Sequence, residues 1–286
     1  MKRIFSVAAL LAIFAGSAFA ADLPSYKAPP PPPLPPPPLW TGFYIGLNAG
    51  GTWASNSSTQ IATVPVLPVP AAALLAGLAS GSMSGGNSSG FIGGGQIGYN
   101  WQFFNGAALA GVEADIQGIA QSNNNSNFAT GGIIGVTPVL TNFSLTRRLD
   151  YIGTVRGRVG WLFTPTLLLY GTGGLAYGGV TSSTSIFQAG ITNGFLGLGS
   201  SSFSDTRVGW TAGGGLEWMF MPHWSAKVEY LYYDLGNVYN TGVLTSNAVP
   251  SLYAAFQQNT RFNGNIVRAG VNYHFNWGAA PVVAKY

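Results

Sequence analysis

Three stretches of the chain carry charge on one side of an extended strand and apolar bulk on the other. In residues 148–163, Leu149, Tyr151, Val155, Val159, Trp161 and Phe163 share one parity, while Arg148, Asp150, Thr154, Arg156 and Arg158 share the other. In residues 207–220, Val208, Trp210, Ala212, Leu216, Trp218 and Phe220 oppose Arg207, Thr211 and Glu217. In residues 224–233, Trp224, Ala226, Val228, Tyr230 and Tyr232 oppose Ser225, Lys227, Glu229 and Tyr233. A helix would scatter these charges around its axis, so period two selects strands.

Weaker alternation extends the set to 41–54, 90–102, 107–119, 166–180 and 263–275, giving eight expected strands. Three connections are short: Phe103 to Gly106, Thr164-Pro165, and Met221 to His223. Four are long and rich in Ser, Asn, Gly and Thr: about 55–89, 120–147, 181–204 and 237–262. Long and short alternate strictly. That sorting belongs to barrels with short periplasmic turns and long extracellular loops. The expected fold is all-β, an eight-stranded antiparallel transmembrane β-barrel.

The N-terminus supplies a route to the outer membrane. Lys2 and Arg3 precede an apolar run from Ile4 to Phe14, and Ala18-Phe19-Ala20 forms a small-x-small cleavage site. This pattern reads as a secretory signal over residues 1–20. No later run of apolar residues is long enough for a membrane helix. In hydrocarbon every backbone N–H and C=O needs an internal partner, which leaves a closed barrel. Only 7% of residues are charged, against about 25% in an average soluble domain, as suits a surface turned to lipid. There is no cysteine, so neither disulfides nor thiolate metal sites are available. The net charge of +4 has no basic cluster larger than Arg147-Arg148, so nucleic acid is not an expected partner. Residues 29–38 hold nine prolines and read as polyproline II, about 30 Å long at about 3.1 Å per residue. Residues 21–39 are therefore expected to be a stiff periplasmic spacer, with a contact to the cell wall as a sharper option. Residues 40–286 are the expected barrel domain.

Several segments carry a family resemblance. They are Trp40 to Gly51 (WTGFYIGLNAGG), Gly93 to Trp101 (GGGQIGYNW), Gly111 to Gln117 (GVEADIQ), Tyr170 to Gly178 (YGTGGLAYG) and Ala269 to Phe275 (AGVNYHF). In order and spacing they resemble the small porin-family, or outer-membrane immunogenic, proteins of alphaproteobacteria. The resemblance implies a barrel like the membrane domain of OmpA, a structural and antigenic role, and no shared catalytic residues. Val267, Ala269, Val271, Tyr273 and Phe275 also look like the terminal ladder that outer-membrane assembly machinery reads. Because residues 276–286 follow, either Phe275 is an internal signal or Tyr286 substitutes for it.

Inside such a barrel the inward parity collects Arg156, Arg158, Arg207, Lys227 and Arg268 against Glu113, Asp115, Asp150, Glu217 and Glu229. A matched set of this kind is expected to neutralise itself, because unpaired buried charge is costly. An eight-strand barrel is wide enough only for its own side chains, so a plugged lumen is expected.

Other chemistry finds little support. Gly93 to Gly98 matches G-x-G-x-x-G but precedes a turn and another strand, where a dinucleotide fingerprint needs a helix. Glu113 and Asp115 have the spacing of an acid/base pair, yet a narrow lumen admits no sugar. His223 and His274 fall at the turn end, away from an outer-surface catalytic site, and make a poor metal site. No cofactor is expected, and no enzyme. Residues 64–79 (VPVLPVPAAALLAGLA) read either as a short helix folded over the barrel mouth or as an exposed patch for a partner. Three functions remain: a structural barrel and surface antigen in contact with outer-membrane lipid and lipopolysaccharide, a narrow porin, or an adhesin or haemin binder using Tyr239 or Tyr253.

Overall fold

The computed structural model describes residues 40–55, 58–84, 89–121, 124–247 and 252–275. The expected signal, the proline spacer, and the tail with Tyr286 lie outside the described residues.

The chain forms β1 (Gly42–Ala54), β2 (Ser58–Pro65), α1 (Pro70–Leu78), β3 (Gly81–Ser84), β4 (Ser89–Phe103), β5 (Ala108–Gln121) and β6 (Asn124–Ile134). Five long strands follow: β7 (Thr137–Thr164), β8 (Leu167–Gly190), β9 (Leu196–Met221), β10 (Trp224–Ser246) and β11 (Leu252–Phe275). All pairings are antiparallel and the strands make one sheet. Neighbours run β1–β4–β5–β7–β8–β9–β10–β11, and β11 pairs back with β1 from Phe43↔Phe275 to Ala54↔Gly264. The sheet is therefore a closed cylinder.

The sheet holds eleven strands among the described residues, where eight were expected. The extra ones, β2, β3 and β6, fall inside segments expected as loops. β2 adds to the far part of β11, β3 to β2, and β6 to the far part of β7. The long strands also run 23 to 28 residues, whereas crossing a bilayer takes about 9–11. Much of 137–147, 181–190, 196–206 and 237–262 is thus strand. The reason is that Ser, Thr and Gln in these segments keep period two. Inward Thr184 meets Gln258, and Gln258 Nε2 donates to Ser182 Oγ at 2.9 Å. Their polar composition resembles loop composition, but the polar side chains satisfy one another inside an extended cylinder.

Short turns close one end. Phe104 and Asn105 take φ of 50° and 52° between β4 and β5, the paired left-handed geometry of a tight hairpin. The opposite end, where the strands overrun, is the loop end. Here Leu75 and Ala76 of α1 and Ala79 after it pack on Ile61, Met83, Phe143 and Tyr253, and Gln188 Nε2 donates to the Leu75 carbonyl at 3.0 Å. The helix folds over the barrel, the first of the two options for residues 64–79.

Two bulges reset which parity faces inward. The β7–β8 register shifts between Leu149 and Tyr151, leaving Asp150 unpaired. Toward the turn end Ile152, Thr154, Arg156 and Arg158 are buried, whereas beyond the bulge Leu149, Arg147, Leu145 and Phe143 are. An extra residue flips every side chain after it. β10 shifts likewise between Asp234 and Asn237, with Gly236 at φ 78°. Beyond it β9 and β10 part until Ser200↔Val243.

The outside of the cylinder is apolar. Leu47 is 74% exposed, and Ile45, Ile97, Val112, Ile116, Val155, Val159, Leu216 and Val228 join it. Aromatic side chains flank this belt: Phe43, Trp101, Trp161, Phe163, Trp218 and Trp224 toward the turns, Trp53, Phe91, Trp210 and Tyr230 toward the loop end. Phe43 and Trp53 lie on one strand at a separation that spans about 25 Å once tilted, the height of an apolar band in a membrane barrel. Val155→Arg, at mid-belt, is expected to cost about 2–4 kcal/mol. Val136→Arg, in a loop-end turn where Val136 is 94% exposed, should cost nothing measurable. Urea unfolding in lipid vesicles compares the two, and equal costs would remove the belt's assignment to lipid.

Candidate functional site

The side chains enclosed by the cylinder form layers. At the turn end Trp40 packs with Leu109, Leu162, Leu168, Tyr170 and Met219. Its indole N–H donates to the Pro165 carbonyl at 2.9 Å, and its backbone N–H to Gln102 Oε1 at 3.1 Å. Trp40 is completely buried and forms the floor.

Above the floor lies a layer of charge. Strand alternation aims Glu113 and Asp115 of β5, Arg156 and Arg158 of β7, Glu217 of β9, Lys227 and Glu229 of β10, and Arg268 of β11 at one axis. Register puts Glu113 opposite Arg156, Lys227 opposite Glu217, and Glu229 opposite Arg268. Arg156 is the hub. It pairs with Glu113, with Asp115 at 3.0 Å and with Glu229 at 2.9 Å. Arg268 pairs with Asp115 at 2.9 Å and Glu229 at 2.5 Å. Lys227 Nζ donates to both Glu113 oxygens at 2.9 Å. Arg158 reaches Glu217 at 2.6 Å, and its guanidinium lies 4.5 Å from the Tyr170 ring centroid and 5.4 Å from that of Tyr44. Tyrosines finish the carboxylates: Tyr44 donates to Glu113 at 2.6 Å and Tyr170 to Glu229 at 3.0 Å. Four acids thus meet four bases, all buried.

An amide relay adjoins them. Asn48 donates to Gln96 at 3.0 Å, Gln96 to Asn272 at 2.5 Å, and Asn272 to Glu217 at 2.7 Å. Toward the loop end lies an apolar layer, with Ile92, Leu149, Ile152, Leu231, Tyr233, Phe262 and Ile266 among its members.

Two of the ten charges expected here lie elsewhere. Asp150 is the bulge residue, and it pairs at the surface with Arg148 at 3.3 Å. Arg207 is half-buried where β9 and β10 part, and donates to the Asn237 carbonyl at 2.8 Å. Sequence reasoning passed over Tyr44 and Tyr170 as luminal groups, and gave Trp40 and His274 no place in the enclosed layers. Tyr44 carries the inward parity of β1 beside outward Phe43 and Ile45, which was the available signal.

His274 is buried, and its Nε2 lies 2.8 Å from Ser225 Oγ. Glu217 accepts from the same hydroxyl at 2.5 Å. A nucleophilic triad needs the acid on the far ring nitrogen. Here Nδ1 has no partner among the described residues, and the serine hydroxyl donates to the carboxylate rather than to the imidazole. The trio therefore lacks the wiring of an activated nucleophile. Of the two tyrosines considered for haemin, Tyr253 is buried and donates to Gln188 at 2.7 Å, while Tyr239 is exposed. Burial pushes the Tyr253 hydroxyl up to about 12, which disfavours the phenolate a metal would require.

Comparisons agree with this architecture. The sequence matches the family described as "Outer membrane protein beta-barrel domain" over residues 6–275. It is 34% identical to the 31 kDa outer-membrane immunogenic protein of Brucella melitensis biotype 1, over 96% of this chain and 100% of the relative. The 22 kDa outer membrane protein of Rhizobium leguminosarum bv. viciae is 32% identical over 49% of this chain and 52% of its own. Among solved structures, Neisserial surface protein A covers 82% of this chain and 98% of its own at 13% identity, with a TM-score of 0.33. The family match over residues 6–275 and the full-length Brucella relative lead to one conclusion: the chain belongs to the outer-membrane protein β-barrel domain family.

Proposed function

We propose that this protein is a structural barrel of the outer membrane, plugged against solutes, whose loop end is a surface antigen. The eight strands of the ring are the ones that cross the bilayer, with short turns in the periplasm, and β2, β3 and β6 belong to the exposed extension. The carrying observation is the buried layer of four acids against four bases above the Trp40 floor. A conducting lumen needs a continuous wet path. Here guanidinium and carboxylate groups bond to each other across the axis, and apolar layers lie on both sides. Among the described residues this layering buries Glu113, Asp115 and His274 away from any substrate-sized opening, which supports a non-enzymatic reading.

The antigenic role rests on the extension and on the similarity to the 31 kDa outer-membrane immunogenic protein of Brucella. Rim arginines Arg148, Arg207 and Arg261 stand at headgroup level, where they suit lipopolysaccharide phosphates. The signal over 1–20 brings the chain to the periplasm. The spacer over 21–39 then reaches toward the cell wall, and Phe275, at the end of β11, serves as the assembly signal. Planar-bilayer recording tests the central statement. The purified mature protein is expected to insert with rare, small current steps. A steady open level that scales with solute size would establish a porin instead.

A further inference from the structure

We infer that Arg147 holds a small inorganic anion, of chloride to phosphate size, in a cavity at the loop end of the barrel. The β7 bulge turns Arg147 inward, where it is only 8% exposed. Its Nη2 donates to the Arg261 carbonyl at 2.8 Å, and its guanidinium lies 5.1 Å from the Phe262 ring centroid. Its Nε and Nη1 are buried and have no partner among the described residues.

Nor is there a carboxylate to balance it. Glu113, Asp115, Glu217 and Glu229 belong to the luminal layer, beyond the apolar layer that contains Leu149 and Phe262. Asp150 pairs with Arg148, and Asp234 with Arg261. Asp205 is exposed and accepts from the Thr206 N–H. These are all the acids of the described residues. Arg147 is their one buried base without a counter-charge. A buried cation left so bears an uncompensated desolvation cost, and water alone would supply hydrogen bonds but no charge.

Space for an anion adjoins it. A cavity of about 30 Å³ is lined by Arg147 with Thr52, Gln121, Tyr233, Phe262 and Asn263. That volume leaves room for a water or a small ion beside the guanidinium. Gln121 Oε1 accepts from the Leu149 N–H at 3.4 Å, so its amide nitrogen is the end left to donate. An anion there would receive Arg147 Nε and Nη1 and the Gln121 amide. These are charge-assisted donors of the kind that select anions.

The test is anion-dependent stability of the mature barrel refolded in neutral detergent. Sodium gluconate, a much bulkier anion, holds ionic strength constant while chloride or inorganic phosphate replaces it. The heat-unfolding midpoint of the parent is expected to rise saturably with one or both, because a ligand bound only to the folded state stabilises it. Arg147→Gln should unfold no earlier than the parent in gluconate and lose the response. Gln121→Leu keeps the arginine and should weaken apparent affinity by about tenfold, the loss of one charge-directed hydrogen bond. A parent with no saturable response overturns the assignment, as does a parallel rise in parent and Arg147→Gln. Should Arg147→Gln fail to fold, an unchanged affinity in Gln121→Leu would overturn it.

Discussion

Arg156→Ala is expected to lower the free energy of unfolding by about 3–5 kcal/mol, the cost of removing one partner from a buried ion pair. The figure belongs at the upper end because Arg156 serves Glu113, Asp115 and Glu229 together. With it gone, three bases face four acids, and Thr154 and Thr172 lose the donor that reaches them at 2.9 and 3.4 Å. Urea unfolding followed by tryptophan fluorescence reads the loss. The double variant Arg156→Met, Glu229→Met restores the balance of charge with apolar side chains. It should recover about half the loss or more, since such replacements are often neutral. A single variant within about 0.5 kcal/mol of the parent, the range of an ordinary surface substitution, would mean that water fills the gap and the layer is wet.

How much of this could be seen in the chain beforehand depends on where alternation is unbroken. Between the girdles it is: Glu113 and Arg156 were placed inward by parity alone, and they meet. At Asp150 it fails because a single unpaired residue reverses parity, and nothing in the local sequence of Arg148, Leu149 and Asp150 announces a bulge. The same reversal turns Arg147 inward, so the buried unbalanced cation was invisible too. In residues 181–190 the failure is of another kind. Threonine and serine suit strands and loops alike, and only the cross-barrel partner, as with Thr184 and Gln258, decides between them. Trp40 was legible only as the first residue of the expected barrel domain, ahead of the strand expected over 41–54 and found over Gly42–Ala54. Its role as floor depends on a carbonyl 125 positions away, that of Pro165, which local pattern does not encode.

That floor supports a second large effect. Trp40→Ala removes a fully buried indole from contact with Leu109, Leu162, Leu168 and Met219, and is expected to cost about 3–5 kcal/mol. The vacated space lies against the ring of His274, whose centroid is 5.5 Å from that of Trp40. His274 in turn contacts Ser225 and Glu217. Water entering from the turn end would therefore reach the first carboxylate of the charged layer. In planar bilayers the variant should show more frequent current steps than the parent. Trp40→Phe keeps a ring but loses the bond to Pro165, so it should cost about 1 kcal/mol beyond its lost area and stay closed. The two layers can then be ranked as barriers. If Trp40→Ala is destabilised yet as silent as the parent, the seal resides in the ion pairs, and Arg156→Ala alone must leak. If Trp40→Ala conducts while Arg156→Ala stays silent, the apolar floor excludes ions and the charged layer only holds the strands together.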